Sequence, residues 1–279
     1  MTAKALLEDM RMVHIQLTDP TLENLALTAV VVAFSLASFY DLKTREVPNM
    51  IWMTLLPIAS ALTSIRVIFF NLPMKPAIFS VVATFIIAFA AFYGGVFGGA
   101  DAKALICLSA ALPLRFKPFY SVLGYLHPLF PLTVLYNSYL LSTVVIARNV
   151  SLNTLYWSAG KSLFQGLEGE GICRRVLAFL TGYKASFKSL EDSPHLFPME
   201  AVDNSGRRRF KFQSSAFAEK EDLLDGLRSH LIDRRVDVWV SPTIPLMVYM
   251  LAALVVTALL GDLFTWLVFE VLTRSRSIL

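Results

Sequence analysis

Residues 76–100 read PAIFSVVATFIIAFAAFYGGVFGGA, with no charged side chain between Lys75 and Asp101. A helix crosses the hydrocarbon core of a bilayer with about 20 mostly apolar residues. This run meets that length, and the pattern recurs on both sides of it. Upstream, residues 24–40 (NLALTAVVVAFSLASFY) and 47–65 (VPNMIWMTLLPIASALTSI) are also free of charge. Downstream lie residues 104–114 (ALICLSAALPL), 118–147 and 238–261, the last continuing past Asp262 to Phe269. The 104–114 run is short. It crosses only if Asp101 and Lys103 sit at one membrane edge while Arg115 and Lys117 snorkel at the other. Pro128 and Pro131 interrupt the 118–147 run, which places a spanning helix over 129–147 and an interfacial connection over 118–128.

Composition agrees with the runs. Hydrophobic types make up 56 % of the 279 residues and charged types 16 %, against about 45–50 % and about 25 % in average soluble chains. Mean hydropathy is +0.59. These values exclude a soluble enzyme, a disordered chain and a fibrous protein. Two cysteines, Cys107 and Cys173, exclude a disulfide framework and a four-cysteine zinc module. The four histidines have no metal-ligand spacing, and a net charge of +4 needs no nucleic acid to explain it. The first ~30 residues lack the basic, apolar and small-residue succession of a secretory signal. The expectation is an all-α polytopic membrane protein of six transmembrane helices, with a small α+β insert between helices five and six.

Three segments follow. Residues 1–147 hold an N-terminal flank and helices one to five, 148–241 form a soluble domain, and 242–279 form helix six and a tail. Of the chain's 25 basic residues, 14 fall between Arg148 and Asp237, with 12 acidic ones, so the soluble material is concentrated there. Within it, 196–202 and 207–213 flank Asp-Asn-Ser-Gly and predict a β-hairpin, and 218–231 predicts an amphipathic helix. Lys43 and Arg45, just after helix one, put the first loop in the cytoplasm. The N-terminus is then outside and the insert cytoplasmic. Arg115, Lys117, Arg274 and Arg276 pull mildly the other way.

Asp41 and Asp101 each abut an apolar span, where an ionisable group is costly and a candidate for function. Either one alone reads more readily as a marker of the water boundary, and it is the pair that points to function. Helix one ends at Asp41, helix two leaves, helix three returns, and Asp101 opens helix four. Both carboxylates are therefore expected at the cytoplasmic edge, at one depth. Asp262 and Glu270 are expected toward the opposite face. Gly98, Gly99 and Ala100 remove side-chain bulk before Asp101, which lets an extended peptide backbone approach, or serves a flexible turn between helices or their close packing in the membrane.

Asp41 begins DLKTREVPN (41–49), and Asp101 ends FGGAD (97–101) with Lys103 two residues on. This pair resembles the aspartic peptidases that mature type IV prepilins and archaeal preflagellins, intramembrane proteases named for a Gly-x-Gly-Asp motif. Asp41, Pro48 and Asn49 fit the first motif. Gly98, Gly99, Ala100, Asp101 and Lys103 fit the second, with Ala100 in place of the last glycine, a departure known from the archaeal branch. Ser-Pro-Thr-Ile-Pro-Leu (241–246) resembles the entry to the last helix of those enzymes. The two motifs match closely, the insert only weakly.

The resemblance implies a membrane-embedded aspartic endopeptidase acting in the cell membrane. Asp41 and Asp101 would be catalytic, acting on a water with no metal or cofactor. It would remove the short basic leader of a preflagellin-like or prepilin-like subunit near the cytoplasmic surface. No methyltransferase activity is expected, because the paired-cysteine module of bacterial relatives is missing. Lys103, at i+2 from Asp101, is expected to turn away toward lipid phosphate. In the insert, Glu168, Glu170, Glu191, Asp192, Glu219, Glu221 and Asp222 either pair with basic leader residues or form a solvated surface. Arg207, Arg208 and Arg209 suit anionic headgroups or a hydrophilic hairpin arm. Two alternatives use the same residues differently. One is a small proton-coupled transporter with the two aspartates as a relay, and the other is a non-catalytic scaffold of a filament machine.

Overall fold

The computed structural model describes residues 19–114, 128–193, 195–203, 206–212, 217–230 and 236–276, without the side chains of 217–219, 222, 230 and 272–276. Along these residues run α1 (Asp19–Lys43), α2 (Asn49–Phe69), α3 (Met74–Tyr93), α4 (Gly99–Ala111), α5 (Phe130–Ser158) and α6 (Ile172–Thr181). Next come β1 (Tyr183–Ser186), α7 (Phe187–Asp192), β2 (Leu196–Pro198), β3 (Glu200–Val202) and β4 (Arg208–Phe210). The order closes with α8 (Phe217–His230), β5 (Asp237–Pro242), α9 (Leu246–Leu259) and α10 (Leu263–Arg276). The chain forms two compact units, Met1–Ser138 with Leu246–Leu279, and Tyr139–Pro245.

In the first unit, α1, α2 and α3 expose large apolar side chains along their length, among them Phe39, Met53, Phe79 and Phe89. Helices apolar on their outward faces suit lipid rather than water. Among the described residues, α1, α2, α3 and α5 are long and apolar enough to cross a membrane; α9 and α10, bent by 73°, add a fifth candidate if taken as one span. The six crossings expected from the sequence are not all met by this measure. The helix that falls short is α4, whose 13 residues rise about 20 Å.

Short as it is, α4 is enclosed. It packs against α1, α2, α3 and α9, and Ala104, Leu105, Leu108 and Ala111 have no exposure at all. Its sequence, GADAKALICLSAA, is mostly small residues, which let neighbouring backbones come close. Its last turn is tied down by Thr63, whose hydroxyl donates to the Ala110 carbonyl at 2.6 Å. Ser80 of α3 donates to the Pro113 carbonyl just beyond.

At the same end of the bundle, Arg66 is buried against Asp19 (2.8 Å) and Glu23 (3.1 Å). Arg66 marks the boundary of a charge-free run in sequence; in the fold it holds the end of α2 to the start of α1.

The last span is not the continuous helix expected through Asp262. It breaks at Gly261, whose φ of 97° an L side chain rarely adopts. Asp262 is fully buried and restarts the helix as its cap, accepting from the Thr265 amide at 2.9 Å. Asn137 of α5, also fully buried, stitches the break. It donates to Thr257 Oγ1 (2.8 Å) and the Gly261 carbonyl (3.0 Å), and accepts from the Phe264 amide (3.0 Å).

In the second unit, β5 is the central strand of an antiparallel sheet ordered β1-β5-β2. Val238 and Val240 face a core with Phe187, Leu190, Leu224 and Leu227. Trp239 faces the opposite core, with Leu167, Ala178, Met199 and Phe210. A strand buried on both faces reads as a continuous apolar run, so residues 238–240 look in sequence like the start of a membrane span. The expected hairpin is present but shorter. β3 pairs with β4, Glu200 opposite Phe210, while Leu196–Pro198 joins β5 instead. The expected helix over 218–231 is α8. Beneath the hairpin, Glu200 is fully buried between Lys184 (3.4 Å) and Arg208 (Nε at 2.7 Å). Burial pulls the Lys184 ammonium below the usual lysine range, and the Glu200 charge opposes that.

Candidate active site

Asp41 lies in the last turn of α1. Thr44 closes that turn, its hydroxyl donating to the Tyr40 carbonyl at 3.1 Å. Arg45 then takes a left-handed backbone, φ 60°, at a cost of about 1–2 kcal/mol for a residue with a Cβ. The turn brings its guanidinium back to Asp41 Oδ1 at 3.4 Å. The two side chains are well shielded, 12 % exposed for Arg45 and 14 % for Asp41. Pro48 stands at the cap of α2, and Asn49 is its first residue.

A second turn presents Asp101. Gly95 (φ 71°) reverses the chain after α3, and the Val96 and Phe97 amides both donate to the Ala91 carbonyl, as in a glycine-terminated helix end. Gly98 caps α4, and its amide donates to Asp101 Oδ2 at 3.1 Å. Asp101 thus closes the first turn of its own helix, as the third residue of a capping box does. A Cβ on residue 98 would stand 3.1 Å from that same oxygen. This glycine therefore has an internal reason, beside the substrate access its sequence suggests. Gly99 and Ala100 form the first turn of α4; a Cβ at 99 would make ordinary contact with Phe92.

The two turns meet. α1 packs on α4, and the charges of Asp41 and Arg45 both act on Asp101. Lys103 donates to Asn49 Oδ1 at 2.7 Å. This corrects its expected direction toward lipid: the start of α2 lies within reach, and a charge-assisted hydrogen bond is available there. Asp41, Pro48, Asn49, Asp101 and Lys103 are therefore gathered at one end of the helix bundle. Arg45 joins them, although the sequence assigns it only to topology. The signal was its i+4 spacing from Asp41. Asp262 is not among them; its carboxylate caps α10.

Several charged side chains of the second unit have internal partners. Glu170 pairs with Arg174 (3.1 Å) and Glu191 with Arg228 (2.7 Å). Arg208 is bonded to Glu200 and Arg209 to Asp203. These contacts favour a folded polar surface over a free leader-binding or headgroup-binding patch for those residues. The side chains of Glu219 and Asp222 lie outside the described residues.

Residues 28–147 match the model of the type IV leader peptidase family, and residues 174–263 match that of the archaeal peptidase A24 C-terminus, type II. The first match contains both aspartates. Among curated proteins, the chain is 27 % identical over 239 residues to a preflagellin peptidase of Methanococcus maripaludis, covering 81 % of this chain and 91 % of that one. It is 28 % identical over 235 residues to the preflagellin peptidase of Methanococcus voltae, with the same coverage. To that of Methanocaldococcus jannaschii it is 26 % identical over 239 residues, 81 % and 90 % of the two chains.

Proposed function

The chain belongs to the type IV leader peptidase family, and from that premise we propose that it is an aspartic endopeptidase of the cell membrane that removes the leader of preflagellin-like subunits. The observation that carries the proposal is the meeting of two distant turns, with Lys103 on Asn49 at 2.7 Å and Asp41 and Asp101 in each other's field. Two carboxyls that flank one water share a proton. The ionised one takes a proton from the water, whose oxygen bonds to the scissile carbonyl carbon. The protonated one donates to the carbonyl oxygen. Collapse of that adduct breaks the C–N bond, and the departing amine takes up a proton. No metal or cofactor enters these steps.

The topology proposed with this reading puts the N-terminus outside and residues 148–241 in the cytoplasm, with α4 as a short sixth crossing. Thr63 and Ser80, which hold the far end of α4, lie toward the ends of α2 and α3 remote from the aspartates. The pair then sits at the cytoplasmic edge. A peptide bond next to the membrane surface reaches it without being unwound deep in lipid, where free backbone groups are costly.

The test is direct. Detergent-solubilised protein is incubated with a preflagellin-like substrate carrying a short basic leader before an apolar helix. Wild type is expected to release a shortened product, and Asp41→Asn and Asp101→Asn each to abolish it while still inserting and purifying. Cleavage by either variant near the wild-type rate would falsify the assignment.

A further inference from the structure

We propose that Arg45 is a positioning residue of the aspartate pair, holding the Asp41 carboxylate in one orientation and keeping a fixed positive charge beside it during water activation. The inference rests on the peptidase reading above. An i,i+4 pair on an exposed helix surface does little, because water competes for both groups. Here the partners are 12 % and 14 % exposed. The backbone is also unusual, since Arg45 is one of two described non-glycine residues with positive φ, the other being Asn71. A left-handed arginine persists where surrounding contacts over-determine it. One contact that this turn secures is the 3.4 Å pair with Asp41.

The neighbouring charges are arranged around other partners. Lys43, two residues before it in the chain, lies over the Phe39 ring at 5.7 Å. On α4, Lys103 is bonded to Asn49, and Asp101 lies in the field of both Asp41 and Arg45. Glu46 is exposed. α9, which also packs on α1, carries no charged residue. Among the described residues, Arg45 is a cation paired with Asp41, where one carboxylate must stay aimed while it accepts a proton. A misplacement of about 1 Å in such an arrangement costs up to about 10²-fold in rate.

The experiment measures kcat and KM for full-length protein in detergent, on the same substrate, for wild type, R45K, R45M and R45Q, with D101N as control. R45M and R45Q are expected to lose about 10- to 100-fold in kcat, with KM within about twofold. R45K keeps the charge but not the planar fork, and is expected to recover most of that loss. Wild-type kcat in the two neutral variants overturns the proposal. So does a loss confined to KM, which would make Arg45 a substrate contact, or failure of both neutral variants to fold while R45K folds, which would make it structural. Cleavage by D101N at the wild-type rate would instead remove the peptidase assignment itself, whatever Arg45 does.

Discussion

Gly98 sits where the chemistry of a single hydrogen atom matters. Its amide holds Asp101 Oδ2, and a methyl group there would lie 3.1 Å from the oxygen it holds. We expect Gly98→Ala to fold but to lower kcat by roughly tenfold, because the carboxylate must shift to make room. Single-turnover cleavage beside a thermal melt separates that effect from misfolding; an unaltered rate would mean that Asp101 moves freely. Asp262 offers the contrast, as a buried carboxylate that caps a helix. Asp262→Ala is expected to cost about 1 kcal/mol of stability in detergent, and Asp262→Asn little, since Asn is an equally good cap. Both should keep cleavage activity. The two aspartates were legible in sequence because both fall at one expected membrane edge, each inside a motif of fixed spacing. The work of Gly98 and Arg45 was not, because it depends on backbone angles that composition does not report.

At the scale of elements, α4 departs furthest from what its sequence promises. Eleven charge-free residues imply little apolar contact and a loosely held helix. The structure surrounds it with α1, α2, α3 and α9. Small residues explain this: a helix mostly of Gly, Ala, Ser and Cys can touch several neighbours at once, whereas bulkier side chains throughout would hold them off. Lys103 and Asn49 add a polar link between α4 and α2. Residues joined by one contact are coupled, so their losses do not add. Lys103→Met and Asn49→Ala should each reduce cleavage, and the double variant should be no worse than the poorer single one. Fully additive losses would show that the two residues act separately. The broken last span is the other departure. Gly261 and Asp262 are helix-stop and helix-start signals side by side, but hydropathy averages over them.

For the whole molecule, the second unit depends on a buried ion group. Removing the charge of Glu200 leaves Lys184 and Arg208 without their counter-charge in a site that is 0–12 % exposed. Breaking such a pair from one side costs about 3–5 kcal/mol. Glu200→Gln should therefore make this unit sensitive to limited proteolysis at temperatures the wild type resists, and unchanged digestion would contradict that account. Topology has its own check. Cys173 is exposed and Cys107 buried. A membrane-impermeant maleimide should leave Cys173 unlabelled in intact cells and label it after permeabilisation. Ready labelling of intact cells would reverse the proposed orientation and take the aspartates out of the cytoplasmic edge.

The sequence alone determined that this is a membrane protein with a polar insert, and it singled out Asp41 and Asp101 with the residues spaced around them. Those conclusions rest on local quantities: the length of an apolar run, the rarity of charge within it, and fixed offsets along the chain. Tertiary structure decided what depends on distance between remote residues. It turned residues 238–240 from apparent membrane sequence into a strand covered on both faces. It bent the last span at a positive-φ glycine. It also turned Lys103 from lipid to Asn49, 54 positions away in the chain. A charged side chain goes to the nearest group that can satisfy it, and only the packing of helices says which group is nearest.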